Sequence, residues 1–204
     1  MALLLLMSWL TNEPEYPNTT IMWSPGPVLN QNGLPQCVPY AIHTLLQAAP
    51  HRLHYLPSPG SIYYGARSIE SRAPHTPGTT VQAAFKYMQN LGLVDDWRYS
   101  WSIQTASKWF DYGPVLVVGR WRVGMYPEEF GYIRTVGTPF SSAHAITCYG
   151  LSTDKDWFCQ NTWGPVWGYG GRMVFSYADM DRFGADFFQP KVSSQYTDYW
   201  SKFR

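Results

Sequence analysis

A thiol, an imidazole and two carboxamides follow one another along this chain in an order that suits attack on a carbonyl. Gln31-Asn32-Gly33-Leu34-Pro35-Gln36-Cys37 sets a glutamine six residues before a cysteine, and about a hundred residues later come Ser142-Ala143-His144-Ala145 and Gln160-Asn161-Thr162-Trp163-Gly164. A thiol is mostly protonated near neutral pH, so it needs a neighbouring base and a positive local field to act as a nucleophile. A tetrahedral oxyanion needs a hydrogen-bond donor, which the Gln31 side chain can supply with the Cys37 N–H. An imidazole needs a third group to fix its ring, and Asn161 is of the right type. The readings are Cys37 as nucleophile, His144 as base and later acid, Asn161 as orienter and Gln31 as oxyanion donor.

The elements that must position these groups can be read around them. Val38, Ala41, Ile42, Leu45, Leu46 and Ala49 recur at helical spacing after Cys37, and Pro50 stops the run. Pro39 is tolerated in a first turn, where its missing N–H has no partner in any case. Cys37 therefore opens a helix, where the macrodipole favours a thiolate. Residues 11–36 read as an extended lead-in and 51–60 as a proline-punctuated loop. Ile62–Glu70, Val81–Leu91 (capped by Thr79 or Thr80 and ended by Gly92) and Ile103–Phe110 read as helices. Beyond Gly113-Pro114 the pattern changes to strands: Val115–Gly119, Ala145–Tyr149, Asp156–Cys159 and Arg172–Phe175. Helices first and strands later indicate an α+β fold.

Composition narrows the function classes. A chain of 204 residues fits one domain or two small subdomains around a shared core. Aromatic residues make up 17 % and supply ample apolar area, while charged residues make up 14 % with a formal net charge of +1. Nothing in that balance points to nucleic acid. Three cysteines are too few for a disulfide scaffold. If His144 and Asn161 pair directly across two strands, Cys148 and Cys159 fall diagonal to each other, so two buried free thiols are expected. The apolar start, residues 1–10, lacks a basic n-region and a small-x-small cleavage site and is too short to span a bilayer. It reads as a docked arm that could also engage an assembly partner.

Taken together, these residues resemble the papain family of cysteine proteases, in particular its bacterial and phage branch. Gln31 and Cys37 match the family's glutamine and nucleophile at the family's spacing, and His144-Ala145 matches its His-Ala. Asn161-Thr162-Trp163-Gly164-Pro165-Val166-Trp167-Gly168-Tyr169-Gly170-Gly171 matches its Asn-Ser-Trp-Gly-x-x-Trp-Gly-x-x-Gly. The likeness covers roughly residues 25–190 and extends to Ile62–Arg67, to the Gly78-to-Gly92 segment and to Tyr112–Val115. It implies a helical subdomain (about 31–112) packed against an antiparallel β-barrel-like subdomain (about 113–190), with the active site at their interface. Residues 1–24 then form the arm and lead-in, and 191–204 a tail. The resemblance further implies substrate-side roles for Trp163, which would shield the His–Asn bond, Trp167 on the leaving-group side, Gly78 along the substrate backbone, and Ala145. It implies a polypeptide substrate and no metal or organic cofactor.

The departures from the family pattern are local. Pro35-Gln36 and Val38-Pro39-Tyr40 stand where the family carries Gly-Ser and Trp-Ala-Phe. Cys37 and His144 lie closer in sequence than the ~130–150 residues of cathepsin-like enzymes, so trimmed cleft loops are expected. The stretch upstream of Cys37 is too short for the family's inhibitory propeptide. Two further readings stay open: a papain-fold structural or binding subunit, for instance of a phage particle, and acyl transfer or cell-wall peptide cleavage. His51-x-x-His54 lacks a third metal ligand and reads as solvated loop, and Asp179-x-Asp181 with Gly184 falls short of a calcium loop and reads as turn or cap.

Overall fold

The structure is a computed structural model that describes residues 19–70, 76–135 and 139–196. The expected N-terminal docked arm and most of the C-terminal tail lie outside the described residues.

Helix α1 (Cys37–Gln47) begins at the cysteine, and its apolar spacing buries Val38, Ala41, Ile42, Leu45 and Leu46. Pro39 occupies the first turn, and the helix ends at Gln47, a little short of the expected Ala49. Helix α2 (Pro59–Ile69) starts earlier than the Ile62 expected from periodicity. Pro59 sits in the first turn, where proline is favoured, and the Ser58 hydroxyl accepts from the Ser61 N–H at 3.1 Å. Helix α3 (Val81–Asn90) is capped by Thr80, whose hydroxyl accepts from the Ala83 N–H at 3.2 Å. Helix α4 (Ile103–Ser107) tightens into a 3-10 turn over Lys108–Asp111, and α5 (Tyr177–Phe183) is capped by Ser176.

The strands are β1 (Ile21–Met22), β2 (Val94–Ser100), β3 (Val115–Arg122), β4 (Phe140–Leu151), β5 (Trp157–Gln160), β6 (Arg172–Phe175) and β7 (Gly184–Val192). They form one antiparallel sheet in the order β2-β7-β3-β4-β5-β6, with β1 on β4. The sheet is open, which corrects the barrel-like closure expected from sequence: β2 and β6 are its two edges, and no ladder joins them among the described residues. The expected α+β class with a papain-like layout of helices against antiparallel sheet holds.

β2 and β7 were not legible as strands. β2 is an edge whose residues are mostly polar and exposed, so its apolar alternation is weak. β7 contains Pro190, which argues against a central strand. Its pairing resolves the conflict: β7 meets β3 only up to Phe188, and Pro190 lies where β7 pairs with β2 alone. Gln189 then pins the start of β3 from below, its Nε2 donating to the carbonyls of Trp109 (2.9 Å), Gly113 (2.8 Å) and Pro114 (3.1 Å).

Two apolar clusters lie on the two faces of the sheet. One joins α1, α2 and α3 to Leu116, Ala145 and Phe188; the other joins α4 and α5 to Val117, Ile146, Trp157, Phe175 and Phe187. β4 is therefore buried on both faces from His144 to Leu151, and it reads as a continuous apolar run for that reason.

Cys148 and Cys159 form a disulfide, which corrects the expectation of two free thiols. That expectation assumed His144 directly opposite Asn161. The β4–β5 ladder instead pairs Thr147 with Gln160 and Cys148 with Cys159, so the two sulfurs face each other and His144 meets Asn161 on a diagonal. Cys37 is the one free cysteine.

Candidate active site

Each candidate group is held by a different piece of backbone. Cys37 stands at the N-terminus of α1, half-buried. Its sulfur takes backbone N–H groups from Ala145, from Val38 and from its own residue. The Ala145 contact brings the thiol to β4 immediately beside His144. α1 is fastened to that strand close by, the Thr147 hydroxyl donating to the Ala41 carbonyl at 2.8 Å.

His144 is 4 % exposed, and its Nε2 lies 2.8 Å from Asn161 Oδ1. The same oxygen accepts the Thr162 N–H at 2.8 Å. A backbone donor needs an acceptor, so this second bond fixes the amide orientation and assigns the imidazole proton to Nε2. Nδ1 is then the basic nitrogen of the neutral ring. Asn161 is fully buried, and its Nδ2 has no partner among the described residues.

Burial opposes charge on both catalytic candidates. It pushes the Cys37 thiol up, with the three backbone N–H groups pulling the other way. It holds the His144 imidazole down at about 4, against the raising effect of Asn161. The resting pair is a neutral thiol and a neutral imidazole.

Three indoles surround the imidazole. The Trp163 ring lies over it at 4.8 Å between centroids and 33°, and Trp121 meets its edge at 5.2 Å. Trp121 also contacts Trp163 at 4.8 Å and Trp167 at 5.9 Å, while Trp167 touches Trp163 at 5.4 Å and Tyr126 at 5.7 Å. Sequence reading placed Trp163 and Trp167 near the site but missed Trp121. The predicted strand stopped at Gly119; carried two residues further, its alternation would have turned Trp121 inward between exposed Arg120 and half-buried Arg122. Gly119 pairs with His144 across the ladder, and a Cβ there would come within 2.4 Å of the Phe183 carbonyl oxygen. That absence of a side chain lets α5 close on the strand behind the imidazole.

Gln31 is buried, not the surface residue its setting in a polar lead-in would allow. The lead-in pairs with the segment after β5: the Gln31 N–H donates to the Thr162 carbonyl and the Gly164 N–H to the Leu29 carbonyl. The Gln31 Oε1 accepts from the Thr162 hydroxyl at 2.5 Å, and Nε2 donates to the Leu34 carbonyl at 2.6 Å. One N–H of that amide is engaged by Leu34; an amide nitrogen carries two.

Gly78 adopts φ +80°, and a Cβ there would meet nothing within 4 Å, so its backbone faces open space. Arg67 Nη1 donates to its carbonyl at 3.3 Å. Ala145 is fully buried beside the thiol. His51 is buried and not solvated as expected: its imidazole packs by Gly113, its Nε2 lacks a partner among the described residues, and burial lowers its pKa to about 4. Asp179 serves as cap and brace, accepting from the Ser176 N–H side of α5 through Ser176 Oγ (2.8 Å) and from the Thr135 N–H and hydroxyl (2.9 and 2.8 Å). No group of three His, Cys, Asp or Glu side chains suited to a metal occurs among the described residues.

The architecture is that of the papain-like cysteine proteases. Xylellain, a cysteine protease from Xylella fastidiosa, superposes with a TM-score of 0.68 at 16 % identity over 87 % of each chain. Bromelain from Ananas comosus, solved in complex with the E64 inhibitor, gives 0.66 at 15 % identity over 87 % of this chain and 100 % of its own. The Carica candamarcensis cysteine protease CMS1MS2, in complex with E-64, gives 0.62 at 18 % identity over 87 % and 100 %. No family model matches the sequence, and no curated protein matches it. Among the described residues no helix is long and apolar enough to cross a membrane.

Proposed function

We propose that the chain is a papain-like thiol hydrolase that cleaves peptide or related amide bonds. The carrying observation is the meeting of three elements: the Cys37 sulfur at the tip of α1 takes the N–H of Ala145, next to a His144 whose Nε2 is held by Asn161. With Nε2 protonated, Nδ1 of His144 is the nitrogen free to take the thiol proton. The thiolate attacks the carbonyl carbon, and the oxyanion is held by the Cys37 N–H and the second N–H of Gln31 Nε2. His144 returns the proton to the departing amine nitrogen as the C–N bond breaks. It then removes a proton from water, whose oxygen replaces the sulfur and frees the acid. Asn161 keeps the ring oriented, and Trp163 and Trp121 exclude water from the His–Asn bond, strengthening it. Trp167 forms the leaving-group side of the cleft, Gly78 offers its backbone to the substrate, and Ala145 lines the acyl side.

Cys37→Ala and His144→Ala should each abolish turnover of a peptide library and leave the circular dichroism unchanged; turnover in either variant defeats the assignment. E-64, the inhibitor held by two structural neighbours, should bind the wild type and not Cys37→Ala. The neutral resting state of the two buried groups favours one second reading, a papain-fold binding subunit without turnover. Inertness of Cys37 to E-64 and to small alkylators across neutral pH would select it.

A further inference from the structure

The ladder registers line up a row of side chains leading away from the candidate nucleophile. Ala145 on β4 pairs with Val118 on β3, and Val118 pairs with Asp186 on β7. Directly paired residues point to the same face of a sheet. That face is the one covered by α1: Ala145 belongs to the helix-side cluster, Val118 packs against it, and Phe188, two residues from Asp186 along β7, belongs to it as well. Adjacent strands lie about 4.8 Å apart, so two strands put the Asp186 backbone about 10 Å from that of Ala145. The row runs from the buried alanine through half-buried Val118 to half-buried Asp186.

Asp186 is fixed at the end of this row. The Tyr99 hydroxyl donates to its Oδ1 at 2.7 Å, and the Tyr99 ring leans on Phe188 at 5.1 Å. A neutral hydroxyl orients the carboxylate without neutralising it. No cation pairs with Asp186 among the described residues. Arg120 stands two residues along β3 on the same face as Val118, exposed and not bonded to Asp186.

We infer that Asp186 is the anchor of a side-chain subsite that selects a lysine or arginine on the acyl side of the scissile bond. The ligand class follows from the row: an apolar floor of Ala145 and Val118 suits the methylene stem of a basic side chain, and a fixed, unneutralised carboxylate at its far end suits the cationic head. The three indoles lie around His144, on the other side of the thiol from this row, so the basic residue belongs to the half of the substrate that forms the acyl-enzyme. The inference rests on the reading of the Cys37–Ala145 contact as the place a peptide enters.

Binding can be measured without turnover. Two dye-labelled peptides that differ only in Lys against Leu at the tested position would be titrated by fluorescence anisotropy into Cys37→Ala and into Cys37→Ala/Asp186→Asn, with melting curves to confirm folding. The expected result is about five- to tenfold tighter binding of the lysine peptide to Cys37→Ala, with the preference gone in the double variant. Arg120→Gln in the same background should keep or enlarge the lysine preference. An equal Lys/Leu ratio in the two proteins, a fall of that ratio in Arg120→Gln, or no binding of either peptide overturns the subsite. Turnover by the wild type is scored separately, so loss of the hydrolase reading with an intact lysine preference, or the reverse, can be told apart.

Discussion

At the scale of single residues, the site turns on where protons sit. Two bonds to one oxygen, from Thr162 N–H and from His144 Nε2, decide the tautomer and leave Nδ1 as the base. Asn161→Leu keeps the volume but strands a buried imidazole N–H, a loss of about 1–3 kcal/mol. The expected outcome is a fall in kcat of about tenfold or more with KM little changed, read from peptide turnover. Trp121→Ala removes the edge contact to His144 and opens a path for water to the same bond. It should lower kcat in the same direction, and Trp121→Phe should restore most of the loss; equal defects in the two variants would assign Trp121 to packing alone.

At the scale of elements, the β4–β5 pair carries both His144 and the approach to Asn161, and the Cys148–Cys159 disulfide joins the two strands between them. Gln160, beside Asn161, reaches the lead-in, its Nε2 donating to the Pro27 carbonyl at 2.8 Å. One strand end thus organises α1, the lead-in and the glutamine it delivers. Cys159→Ala breaks the crosslink and leaves Cys148 buried. It should lower stability by about 2–4 kcal/mol in denaturant titration, and reduction of the wild type should reproduce the loss. Gly119→Val tests the same region from behind, because its side chain must displace the Phe183 backbone that closes on β3. A drop in melting temperature together with reduced turnover is the expected result, since Gly119 pairs with His144.

At the scale of the whole molecule, two histidines are buried neutral, His51 by Gly113 and His144 in the site, both held at about 4 by burial. The unfolded chain titrates them near 6.5, so it binds more protons than the folded chain between those values. Stability contributed by their neutral burial is complete above about pH 6.5 and is lost as pH falls toward 4. Each contributes on the order of 3 kcal/mol across that window. Urea midpoints should decline from pH 7 to pH 4, and the decline should be shallower in His51→Gln. A midpoint independent of pH over that range would contradict the burial of both rings.

The sequence determined the parts that depend on local spacing. Helical periodicity and Pro39 in a first turn placed Cys37 at a helix tip, and the motif from Asn161 to Gly171 announced the strand end that orients His144. These are short-range signals, written within a few residues of the groups they position. Register, by contrast, is settled between strands far apart in the chain, and a slip of one residue changes which side chains meet. Only the folded sheet therefore decided that Cys148 faces Cys159, that the sheet stays open, that Trp121 leans on the imidazole, and that Val118 and Asp186 extend the row begun by Ala145. β7 shows the reason most clearly: its proline forbids it by local rules, and pairing with β2 alone at that point admits it.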